Sequence, residues 1–178
     1  MHEYIVLFKK LKSMKNIIIA STSTVHGSEY LEYLLDELSV FFKEVNTILF
    51  IPYARPSGMS HDAYTEKVKE AFSKIKKTVT GIHNFENPVL AVEKAEAIFV
   101  GGGNTFVLLN QLYKHNLLSV LKETVNKGTP YLGTSAGSNI CGLTIKNTND
   151  MPIIYPPNFN ALGLVSFNLN PHYLDPNT

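Results

Sequence analysis

The stretch GTSAGSN, residues 133–139, sets a serine between two glycines at the end of an apolar run. Ser135 has Gly133 two places before it and Gly137 two places after, the spacing G-x-S-x-G. In an α/β protein this spacing builds a sharp strand-to-helix turn. Small flanking residues let the helix close on the strand, and the hydroxyl projects above the sheet. The helix that follows offers free N–H groups and a positive partial charge at its start. The same motif also suits an ordinary tight turn with a capping serine, so its surroundings must decide.

Working outward, YLGT (131–134) reads as the strand that delivers Ser135. Before it, residues 104–114 and 117–127 read as helices, with Gly128 closing the second. EAIFVGG (96–102) and TVTGIH (78–83) read as strands, and PVLAVEKA (88–95) as a short helix with proline in its first turn. Residues 61–77 carry a helical pattern charged on one face. TILFIPYA (47–54) and NIIIAST (16–22) are short and apolar, as buried strands are. Between them, Leu31, Leu34, Leu35, Leu38, Phe41 and Phe42 recur at helical spacing, predicting a helix over 29–44. Strands without in/out alternation, separated by helices, predict an α/β fold with a doubly wound, mostly parallel sheet. Ligands in such folds lie beyond the carboxyl ends of the strands.

A second strand end is unusual. GGGNTF (101–106) follows EAIFV, and three glycines allow close backbone approach with N–H groups turned toward a ligand. Beside a serine nucleophile, Gly102 or Gly103 would join Ala136 N–H as an oxyanion donor. A phosphate cradle is the rival reading, but neither G-x-x-x-x-G-K-[ST] nor G-x-G-x-x-G spacing is met. A flexible turn is the third. Asn104 and Arg55, the sole arginine, are the candidates for substrate contact.

A serine nucleophile needs a base. Among six histidines, His172 follows SFNLN (166–170), read as a strand, and Pro171 stiffens its approach. No histidine pair has H-x-x-x-H spacing, so no metal site is expected. Asp150, in NTNDMPI, is the acid expected to orient the imidazole, with Asp175 as a rival. The chain order is then Ser135, Asp150, His172.

The 178 residues suit one domain, read as 15–178 after an N-terminal extension, 1–14. Apolar content of 44%, charged content of 17% and a net charge of +1 give no reason to expect nucleic acid or an anionic membrane as partner. No segment approaches membrane-spanning length. Cys141 is the only cysteine, so no intrachain disulfide can form, and a reducing, cytoplasmic location is expected.

Taken together, FIPYA (50–54), GIH (81–83), EKAEAIFVGGGNTF (93–106), GTPYLGTSAGSN (128–139), TNDMPIIYPP (148–157) and NLNPHYLDP (168–176) resemble the peptidase E family, the serine-type aspartyl dipeptidases. The blocks run in the family's order from about residue 15 to the end of the chain. The resemblance implies a class I glutamine-amidotransferase-like, flavodoxin-like three-layer sandwich. It matches Ser135 to the nucleophile, His172 to the general base and Asp150 to the acid, with an acid from a later family segment as the other candidate. It implies hydrolysis of dipeptides with N-terminal aspartate and no cofactor. Family members continue past the NPH block, through a GETR-like motif and further strands. The chain therefore reads as C-terminally truncated. The alternatives are an impaired truncated homologue and a cyanophycinase-like peptidase on the same fold.

Overall fold

The computed structural model describes residues 15–172. The expected extension (1–14) and Asp175 lie outside them. The strands are β1 (Ile17–Ala20), β2 (Thr47–Ile51), β3 (Thr78–Gly81), β4 (Ile98–Val100) and β5 (Tyr131–Thr134). The helices are α1 (Leu35–Phe41), α2 (His61–Ser73), α3 (Pro88–Glu93), α4 (Thr105–Lys114), α5 (Leu117–Asn126) and α6 (Ala136–Asn139). All strands pair in parallel, in the order β1-β5-β4-β2-β3.

That order explains the layering. The chain steps one way from β1 to β3, then back through β4 to β5. Right-handed crossovers put helices on opposite faces when the direction of travel reverses. Leu38 of α1 and Tyr64, Val68 and Phe72 of α2 accordingly pack with Phe50 and Phe99 on one face. Val92 of α3, Leu108 and Leu112 of α4, Leu121 and Val125 of α5 and Ala136 of α6 pack with Ile51, Val100 and Tyr131 on the other. The sheet is therefore the middle of three layers. Its order also sets the carboxyl ends of β1, β5 and β4 side by side.

Two expectations change. The helix expected over 29–44 is shorter. Leu31 is fully buried with φ 59°, a left-handed turn that breaks the run, and regular α-helix begins only at Leu35. The apolar spacing there records burial, not one unbroken helix. The strand expected at 166–170 is absent. The Leu169 carbonyl accepts from the side-chain amides of Asn139 and Asn147 instead of from a neighbouring strand.

Cys141 is enclosed against α6, with Sγ 3.5 Å from the Gly137 carbonyl. Burial pushes its thiol up to about 12, against a smaller lowering by the Tyr131 hydroxyl. Only the thiolate reacts with disulfide reagents. DTNB at pH 8 is therefore expected to modify the native protein roughly a hundredfold more slowly than the urea-unfolded chain.

Candidate active site

Three close approaches shape the turn after β5. A Cβ on Gly137 would stand 2.1 Å from the Val100 carbonyl oxygen, and one on Gly133 would stand 2.5 Å from the Gly137 oxygen. Both glycines are therefore required for α6 to lie directly on β4 and β5. The Tyr131 hydroxyl donates to the Gly137 carbonyl at 2.7 Å, and the Ser138 hydroxyl lies 2.6 and 2.7 Å from the carbonyls of Ala20 and Gly133. Ser135 N–H donates to the Ala20 carbonyl at 3.1 Å. Held on both sides, Ser135 adopts φ 51°, ψ −112°. Non-glycine residues hold such a conformation at a cost of about 1–3 kcal/mol, and only when their surroundings enforce it.

The imidazole arrives on a segment without regular structure, held by polar side chains. Lys15 Nζ donates to the Leu164 carbonyl at 2.7 Å, and the Asn168 amide spans the Thr144 backbone N–H and hydroxyl. Asn139 and Asn147 hold Leu169, as above. His172 N–H donates to Ser21 Oγ at 2.8 Å, just past the end of β1. These tethers bring His172 Nε2 to 2.8 Å from Ser135 Oγ. With Nε2 unprotonated, the serine hydroxyl donates to it, the contact a general base needs.

Each glycine of the GGG run has its own neighbour. A Cβ on Gly101 would meet the Tyr64 hydroxyl at 2.7 Å, one on Gly102 the Ser135 Cβ at 2.9 Å, and one on Gly103 the Ala54 carbonyl at 2.2 Å. Gly103 also has φ 147°. The N–H groups of this loop are mostly taken. Gly101 donates to Ile51 O, Gly102 to the Tyr64 hydroxyl, Asn104 to Ala54 O and Thr105 to Asp150 Oδ2. Gly102 is thereby corrected as an oxyanion donor, because its N–H faces Tyr64 in the core. Gly103 N–H and Ala136 N–H have no acceptor among the described residues.

The other expected residues divide. Asp150 lines the same cleft as Ser135 and His172, a cavity of about 210 Å³ also walled by Thr105, Asn139 and Asn170. Its carboxylate accepts from Thr105 N–H at 2.7 Å, at the start of α4, and has no hydrogen bond to His172 among the described residues. Asn104 Oδ1 caps α4 by accepting from Val107 N–H, and its amide donates to the Met151 carbonyl at 2.8 Å. Its side chain thus secures the 150–152 loop. Arg55 stacks its guanidinium 4.7 Å from the centre of the Tyr64 ring and is not among the cleft's lining residues. A larger cavity, about 580 Å³, lies beside β2 and α3 near Phe85 and Leu90, and contains none of these groups.

Ser21, Tyr64, Thr105 and Asn139 were not singled out in the sequence. A serine after β1 or an asparagine in the elbow helix carries no local pattern; their importance comes from what folding brings beside them. Among the described residues no grouping of His, Cys, Asp and Glu suits a metal ion, and no helix is long and apolar enough to cross a membrane.

A parallel α/β sheet with a strained serine at one strand end and an imidazole in hydrogen-bond contact defines a hydrolase-type site. The sequence model of Peptidase family S51 matches residues 17–178. The chain belongs to that family and is a peptidase of this type. It is 49% identical over 158 residues to a Shewanella denitrificans protein named Peptidase E, covering 89% of this chain and 67% of that protein. It is 47% identical over 169 residues to a Drosophila melanogaster protein named probable alpha-aspartyl dipeptidase, covering 93% of this chain and 69% of that one. The chain thus spans about two thirds of these relatives' length. A crystal structure of a putative peptidase E from Listeria monocytogenes superposes with a TM-score of 0.67 at 27% identity, covering 87% of this chain and 77% of that one. A peptidase from an acI-B1 actinobacterium, at 18% identity and a TM-score of 0.61, shares the fold.

The elbow contacts yield a direct expectation. Gly137→Ala forces a methyl into the Val100 carbonyl, which is strand backbone and cannot move aside. A loss of about 3 kcal/mol follows. In a chain of this size that lowers Tm by roughly 6–12 °C in a calorimetric melt.

Proposed function

We propose that the protein is a serine dipeptidase that hydrolyses Asp-Xaa dipeptides through an acyl-enzyme. The observation that carries this reading is the 2.8 Å contact of His172 Nε2 with Ser135 Oγ at the strained turn. The name of the Drosophila relative supports the substrate class.

In the proposed cycle, Ser135 Oγ attacks the scissile carbonyl while Nε2 of His172 takes the hydroxyl proton. The carbonyl oxygen, now negative, is held by the N–H groups of Ala136 and Gly103. Collapse breaks the C–N bond, and His172 returns the proton to the leaving amine. Water, deprotonated by the same imidazole, then attacks the aspartyl ester; the C–Oγ bond breaks and His172 returns that proton to Ser135 Oγ, freeing aspartate. Asp150 lines the cleft beside Ser135 and His172 and accepts from Thr105 N–H. Its bond to Thr105 also keeps α4 against the site. Neither metal nor organic cofactor takes part in the proposed steps.

A fluorophosphonate is expected to label Ser135, and the protein is expected to release aspartate from Asp–Leu. Ser135→Ala abolishes the label and lowers turnover at least a thousandfold, on the order found for triad serines. Parental turnover in that variant would overturn the mechanism. Labelling of Ser135 with no aspartate released would instead indicate a homologue that keeps the fold and the site without turnover.

A further inference from the structure

Tyr64 lies on α2, in the layer opposite α6, and is fully buried. Its hydroxyl accepts from Gly102 N–H at 3.0 Å and donates to the Gly102 carbonyl at 3.2 Å. The Tyr30 hydroxyl donates to the Tyr64 hydroxyl oxygen at 3.3 Å. One donor and two acceptor positions are all a phenol has, so the hydroxyl is saturated. It faces Gly102 as the backbone of a neighbouring strand would. The ring beneath is fixed by edge contacts with Phe50 and Tyr30, whose centroids lie 4.9 and 6.2 Å away, and by Arg55 over its face. Burial, followed by the neighbouring Tyr64, raises the Tyr30 hydroxyl well above its ordinary value, so it stays a neutral donor.

The Gly102 carbonyl and the Gly103 N–H belong to one peptide unit. Among the described residues no peptide is cis. Across a trans peptide the two groups point in opposite directions. Anchoring the carbonyl on Tyr64, in the α1/α2 layer, therefore turns Gly103 N–H away from that layer, toward the side where Ser135 and α6 lie. A hydrogen bond to the carbonyl also polarises the attached N–H and strengthens it as a donor. We propose that Tyr64 is a positioning residue that holds and polarises the Gly102–Gly103 peptide, so that Gly103 N–H stands ready for the oxyanion. This rests on the serine-peptidase reading of the site. It adds a group that touches neither substrate nor Ser135 and acts from the opposite layer of the sandwich.

The test compares Tyr64→Phe and Tyr30→Phe with the parent chain. Tyr64→Phe keeps the ring and removes the hydroxyl. The rate of Ser135 phosphonylation by a fluorophosphonate is expected to fall about tenfold, less than the loss of an oxyanion donor itself. Tyr30→Phe leaves the Gly102 contacts in place and is expected to lower that rate roughly twofold to threefold. With Asp–Leu, Tyr64→Phe is expected to lower kcat and leave KM unchanged, a split that general loosening of the fold would not produce. In ¹⁵N-labelled protein the Gly103 amide proton is expected to move upfield in Tyr64→Phe before any reagent is added. Parental phosphonylation rates in both variants would overturn the proposal. If Tyr64→Phe does not fold, a parental rate in Tyr30→Phe overturns it alone. An unlabelled parent chain would instead sink the peptidase reading, and the inference with it. A Gly103 amide that moves alongside parental labelling rates would leave the anchor real and the catalytic role refuted.

Discussion

The contact of α6 with the carbonyl of Val100 governs the site. A helix start pressed this closely on two strands leaves no room for a side chain at 133 or 137. The chain must then turn within one residue, and that residue is Ser135. Its φ of 51° follows from the packing on either side, and so does the upward projection of its hydroxyl. Without the close approach the same residues would form an ordinary turn with a capping serine. Stability and chemistry are joined here: the layers that bury Ile51, Val100 and Tyr131 also hold the turn that presents the nucleophile.

The imidazole is brought in by a different principle. No strand or helix carries His172. Lysine, asparagine and serine side chains bind the Leu164 carbonyl, the Leu169 carbonyl and the His172 N–H, and the last of them, Ser21, stands just past the end of β1. Leu164, Val165 and Leu169 also pack against the apolar core, and the polar tethers fix the exposed end of the segment, which suits a group that must move a proton and tolerate solvent. The oxyanion side is rigid by contrast. There every N–H but Gly103's between residues 101 and 105 is bonded, and buried aromatic rings stand behind the loop.

Much of this was legible beforehand. Short apolar runs located β1, β2, β4 and β5, the alternating TVTG located the edge strand β3, and glycine spacing located the elbow, because these signals are local and steric. Asn139, Tyr64 and Ser21 were not legible, since their partners lie 30, 38 and 151 residues away in sequence. The reading of 166–170 as a strand failed because side-chain amides replaced a backbone ladder. Leu31 failed the helical reading because burial and helicity share one spacing. Asp150 lines the cleft, yet its hydrogen bond goes to the start of α4. Asn-rich loop sequence carries no sign of which N–H a carboxylate will find.

The most direct measurement is a crystal structure of the fluorophosphonate adduct. Phosphorus is expected on Ser135 Oγ, with one phosphonyl oxygen within about 3.2 Å of both Ala136 N and Gly103 N. An adduct whose oxygen faces solvent or His172, with Gly103 N–H turned elsewhere, would contradict that arrangement.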